Sequence, residues 1–105
     1  MTLIPRSVEE SPIEQGADEA MVYYLTTTPW GSGPSGIQVK AYDVTGGTYT
    51  EVSLSVLSGS PGASGDVITL PVLGSLTAGN IYKLEIKFTC GSNTFEAWLI
   101  VQATQ

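Results

Sequence analysis

An all-β sandwich of about seven antiparallel strands is the fold the sequence predicts, on three observations. β-Branched and aromatic residues come in short runs at intervals of roughly 8–12 residues, and no window sustains helical spacing of apolar residues. Glycine-rich breakers separate the runs. Two of the breakers, treated as tight turns, set flanking residues opposite one another with one apolar and one polar face.

Along the chain, residues 1–19 form an acidic N-terminal arm. The arm holds Glu9, Glu10, Glu14, Asp18 and Glu19 with Arg6 as its single base. Pro5 and Pro12 exclude a helix across it, and the segment Ser7–Gln15 has room for an edge strand, where proline is tolerated. Residues 20–105 form the sandwich. Its expected strands are Ala20–Thr28, Gly36–Asp43, Thr48–Leu57, Asp66–Leu70, Asn80–Cys90 and Asn93–Val101. Residues 29–35, 45–47 and 58–65 are expected as loops, because glycine, serine and proline concentrate there.

In Cys90-Gly91-Ser92-Asn93, glycine at the first central position suits a type II′ turn. That turn pairs Phe88 with Phe95, Ile86 with Ala97 and Leu84 with Leu99 on one face. On the other face, Lys87 meets Glu96 and Glu85 meets Trp98. A slip of one residue would put Phe88 against Glu96 and mix the faces. The second turn, Gly46-Gly47, supplies the positive φ angles of type I′. It sets Ala41 against Val52, Val39 against Leu54 and Ile37 against Val56 inward, with Lys40–Ser53 and Tyr42–Glu51 outward. Two hairpins with one apolar face each need a facing sheet.

The segment Leu76-Thr77-Ala78-Gly79-Asn80-Ile81-Tyr82 resembles the E–F corner of immunoglobulin-like and fibronectin type III domains. The resemblance implies a tyrosine corner in which the Tyr82 hydroxyl returns to the backbone just upstream. A wider stretch includes Asp18-Glu19-Ala20-Met21-Val22-Tyr23-Tyr24-Leu25, Thr28-Pro29-Trp30 and Phe95-Glu96-Ala97-Trp98-Leu99-Ile100-Val101. It resembles small immunoglobulin-like proteins encoded among virion-structure genes of tailed bacteriophages and prophages. That resemblance implies a virion accessory role in capsid, head–tail junction or tail, with other virion proteins or further copies of the chain as partners. It brings no catalytic motif with it.

Composition narrows the chemistry. The 105 residues carry a formal charge of −6 and no histidine. The expectation is therefore no nucleic acid and no anionic membrane as partner. Without histidine and with Cys90 the single cysteine, most routes to zinc, to a His-based triad or to a disulfide framework close. Paired acids in the arm read as solvated charge, Asp43 and Asp66 stand apart, and no glycine loop opens a helix. The expectation is a non-enzymatic protein with no cofactor and no metal. Met1 to Gln15 lacks the apolar core of a signal peptide, so the expected route is synthesis in the host cytoplasm followed by incorporation into a virion.

The aromatic residues are the candidate interface. Trp98 and Ile100 fall on the strand face opposite Phe95, Ala97 and Leu99, to be covered by the arm or buried by another subunit. Trp30, at a strand end beside Pro29, either plugs the core or anchors a partner. Cys90 shares the parity of Leu84, Ile86 and Phe88 and is expected in the core. The sequence thus predicts a structural or assembly module acting by protein–protein association, with homo-oligomers among its options. The alternative is a carbohydrate-binding sandwich that uses loop aromatics.

Overall fold

In the computed structural model, which describes residues 12–105, the strands in chain order are β1 (Ile13–Gly16), β2 (Tyr24–Thr26), β3 (Ser35–Asp43), β4 (Thr50–Glu51), β5 (Leu57–Ser58), β6 (Gly62–Ser64), β7 (Val67–Thr69), β8 (Val72–Leu73), β9 (Ile81–Cys90) and β10 (Asn93–Thr104). A single helical turn, α1 (Ser53–Val56), lies between β4 and β5. One layer of the sandwich is a five-stranded sheet ordered β1-β10-β9-β3-β4. The other is split into β2-β7-β6 and β5-β8, joined by a bridge from Met21 to Leu73.

The β9–β10 hairpin has the register its turn chemistry predicts, from Asn93 opposite Cys90 to Gln102 opposite Ile81. Gly91 takes φ 61, as the first position of a type II′ turn requires. Alternation then drives Leu84, Ile86, Phe88, Ala97, Leu99 and Val101 into the core, each at most 3% exposed. Cys90 is buried there too. The Gly46-Gly47 turn also forms, with both glycines at positive φ and Thr48 N donating to Thr45 O at 3.2 Å. Tyr42 pairs with Glu51, and Val52 N donates to Ala41 O at 2.8 Å.

Beyond Val52 the expected strand Thr48–Leu57 fails. Ser53 Oγ accepts the hydrogen bond of Ala41 N at 2.9 Å, taking the place a strand carbonyl would fill. The chain turns through α1 and crosses to the second layer, where Leu57 pairs with Leu73. Val39–Leu54 and Ile37–Val56 therefore never pair. Leu54 is left at full exposure, and Val56 reaches the core from the helical turn.

Three further boundaries move. The run Ala20–Thr28 is continuous strand only over β2, because its partner is interrupted at Pro71, which has no N–H for the ladder. Val72–Leu73 resumes as β8 beyond that proline. The supposed loop 58–65 contains β6, paired with β7 from Gly62 opposite Thr69 to Ser64 opposite Val67. Its Gly, Ala and Ser carry little strand propensity, so the neighbour's edge imposes the conformation. Among the described residues the count rises from about seven strands to ten, seven of them only two to four residues long.

Of the N-terminal arm, residues 1–11 lie outside the described residues. Within 12–19 the chain forms β1, which pairs in parallel with β10, Ile13 beside Val101 and Gly16 beside Thr104. Gln15, 1% exposed, fastens it. Its Nε2 donates to Leu73 O at 2.9 Å and Glu19 O at 3.0 Å, and its Oε1 accepts from the Tyr23 hydroxyl at 2.7 Å. This one amide therefore joins the two layers with its buried polar atoms all satisfied.

At the same end of the sheet, the buried Tyr82 hydroxyl accepts a 2.9 Å hydrogen bond from Thr77 N. Two substitutions separate these contacts. Gln15→Leu leaves the half-buried Tyr23 hydroxyl and Glu19 O without this partner and takes from Leu73 O one of two donors, Met21 N remaining, at an expected cost of about 2 kcal/mol. Tyr82→Phe, by contrast, frees an exposed-segment N–H that water can take and costs about 1 kcal/mol. Urea denaturation of both variants reads the difference.

Candidate functional site

The outward face of the five-stranded sheet gathers most of the large polar and aromatic side chains that do not enter the core. The registers line up, across β10, β9 and β3, Glu96 with Lys87 and Gln38, then Trp98 with Glu85 and Lys40, then Ile100 with Lys83 and Tyr42, the β9 residue in the middle of each row. Tyr42 in turn lies beside Glu51. Tyr49 folds onto this face from the turn before β4, and its ring centroid is 4.5 Å from that of Tyr42, tilted by 32°.

Lys83 is the centre of the group. Its ammonium sits 5.4 Å from the Trp98 ring centroid and 5.5 Å from that of Tyr49, within cation–π range of both. It also pairs with Glu85 at 3.3 Å, and the Tyr49 hydroxyl donates to the same Glu85 carboxylate. Burial raises the Glu85 pKa and Glu96 adds to the rise, while Lys40 acts against it. Burial likewise raises the Tyr42 pKa, with Glu85 and Glu51 contributing. A half-buried tryptophan, two tyrosines and one ammonium are thus held by mutual contacts on a flat sheet surface.

Of the residues expected at an interface, Trp98 belongs to this group and Ile100 lies half-buried one row away, on the face alternation assigned to them. Trp30 is elsewhere. Half-buried at the sandwich end, its ring lies 5.9 Å from Phe88, and it packs against the core. A Cβ on the next residue, Gly31, would fall 2.8 Å from the Cys90 Cβ, so that close approach needs glycine. The sequence reading missed Tyr42 and Tyr49. Its two hairpins had put Tyr42 and Trp98 outward separately, but only the β3–β9 register brings them to one place.

Two other polar groups are structural. The Asp66 carboxylate accepts from Thr28 Oγ1 at 3.3 Å and Gly33 N at 3.2 Å, tying loop ends together. Asp43 accepts from Thr45 N at 3.0 Å, Thr45 Oγ1 at 2.6 Å and Asn80 Nδ2 at 3.1 Å. An open hollow of about 350 Å³ is lined by Glu51, Val52, Ser53, Leu54 and Ser55. Among the described residues no helix is long and apolar enough to cross a membrane, and no three His, Cys, Asp or Glu side chains gather as metal ligands.

Comparison with protein-family models, with curated proteins and with solved structures finds no match to this chain.

Replacing Lys83 by methionine removes the ammonium from two rings and is expected to cost about 1 kcal/mol. It should also shift the Trp98 indole N–H resonance while leaving that of Trp30 in place. For Asp43, the Thr45 hydroxyl is the largest cause of a pKa below the ordinary 3.8. Its contribution is therefore full above the unfolded pKa and is lost as pH falls through the lower folded value. Stability measured between about pH 4 and pH 2 should fall less steeply for Asp43→Asn than for the native chain.

Proposed function

We propose that this chain is a non-enzymatic structural or assembly module of a phage virion, associating with other virion proteins through the outward face of its five-stranded sheet. The observation that carries the association reading is the cluster of Tyr42, Tyr49, Lys83 and Trp98 on that face. Tyr and Trp are enriched where proteins bind one another, because they offer large contact area for few rotatable bonds. Here their mutual contacts restrict them before a partner arrives, which lowers the entropy cost of association. A flat sheet face also suits a macromolecular partner better than a small ligand, which needs a concave site. The virion setting rests on the sequence resemblance.

A carbohydrate partner is the second reading, and the three rings on one surface favour it. Against it, Tyr49 leans over Tyr42 and Lys83 lies over Trp98, so the rings do not form an open coplanar platform.

Virions banded to constant density should contain the chain at a fixed copy number. Particles made with Tyr49→Ala and Trp98→Ala together should lose it while the soluble variant stays folded. A chain abundant in the lysate and missing from banded native particles would overturn the virion reading. Binding on a glycan array that Trp98→Ala abolishes would favour the carbohydrate reading.

A further inference from the structure

Charge on the outward face alternates in sign, and the pattern names a partner for that face. All three lysines of the chain, Lys40, Lys83 and Lys87, lie on that face, interleaved with Glu51, Glu85 and Glu96. With Glu14, which β1 sets on the same face beside Gln102, three lysines meet four glutamates there, close to balance in a chain whose formal charge is −6. Building on the association reading above, we infer that a second copy of this chain docks on this face, the two five-stranded sheets meeting across a two-fold axis.

Like charge opposes the approach of two copies of an acidic chain, and the near balance of signs on this face keeps that repulsion small. The signs also alternate. Along β9 the order is Lys83, Glu85, Lys87, and across the strands Lys87 has Glu96 as neighbour while Glu85 has Lys40. A two-fold interface has to be complementary to itself, and an alternating lattice of both signs can set lysine of one copy opposite glutamate of the other. The aromatic group lies toward one end of this lattice, in the rows of Trp98 and Tyr42, with Lys40, Glu85, Lys87 and Glu96 on one side of Tyr42 and Glu51 at the sheet edge.

The available area also fits. Strands β3, β9 and β10 have nine, ten and twelve residues. At about 3.3 Å per residue and about 4.8 Å between strands, with side chains overhanging each edge, the face spans roughly 600–700 Å². Specific interfaces take about 600–1,000 Å² from each partner, so the whole face reaches the low end of that range. An association in the micromolar range is the expected strength.

Sedimentation equilibrium from about 1 to about 500 micromolar should show a monomer–dimer equilibrium. Amide shifts of the native chain on dilution should concentrate on β3, β9 and β10. The double variants Lys40→Glu/Lys87→Glu and Glu85→Lys/Glu96→Lys should each weaken self-association at least about tenfold, a loss of about 1.4 kcal/mol. An equimolar mixture of the two should recover a dimer of native strength, a result that requires both variants to be folded. The second variant lowers the net negative charge, so non-specific association would strengthen where this interface weakens. A native chain that stays monomeric throughout, or a dimer whose dilution shifts lie off these strands, overturns the inference. A monomer that still enters virions overturns the dimer alone and leaves the association reading standing.

Discussion

The register of β9 against β10 is the constraint from which the rest of the molecule follows. It commits Leu84, Ile86, Phe88, Ala97, Leu99 and Val101 to one side, and so decides which side the second layer must cover. The same choice puts Lys83, Glu85, Lys87 and Trp98 on the other side. Core and candidate surface are therefore the two faces of a single pairing, and a slip of one residue would destroy both. β3 adds to β9 and β1 to β10, each keeping that alternation.

The second layer is held differently. Its strands are two or three residues long, interrupted at Pro71 and crossed by the α1 turn, and ladders this short supply few hydrogen bonds. Packing of Leu25, Ile68, Leu70 and Leu73 onto the first sheet provides much of its cohesion. The Gln15 amide provides a directional link, reaching from an edge strand of one layer to Leu73 of the other. A buried amide of this kind discriminates between arrangements more sharply than apolar contact does, since a misplaced acceptor leaves a polar group without a partner.

What the residues reveal by themselves depends on whether local chemistry or distant pairing decides the outcome. The turns at Gly46-Gly47 and Gly91-Ser92 are local, and their registers are legible. The break at Ser53 depends on a side chain meeting Ala41 N, twelve positions away, and alternation of apolar residues through Val56 pointed the other way. β6 has no strand signature, because its pairing is imposed by β7. For the surface cluster, parity placed Trp98 outward and the hairpin register set Lys83 near it, yet Tyr42 joins them through a pairing between strands almost forty residues apart. Gln15 was invisible for a related reason. Among so many acids it looked like one more solvated side chain, and only the parallel pairing of β1 turns it inward.

That parallel pairing has a mechanical meaning. β1 enters beside Val101 and β10 leaves beside Gly16, so the two strands run side by side in the same direction near opposite ends of the chain. Tension applied between those ends pulls the strands past one another along their length. The load falls on their hydrogen bonds together, in shear, instead of opening them one at a time as in a peeled hairpin. The Gln15 amide adds resistance across the layers at the same point. A stretching force along the chain would thus meet, at the β1–β10 pairing, several hydrogen bonds loaded at once.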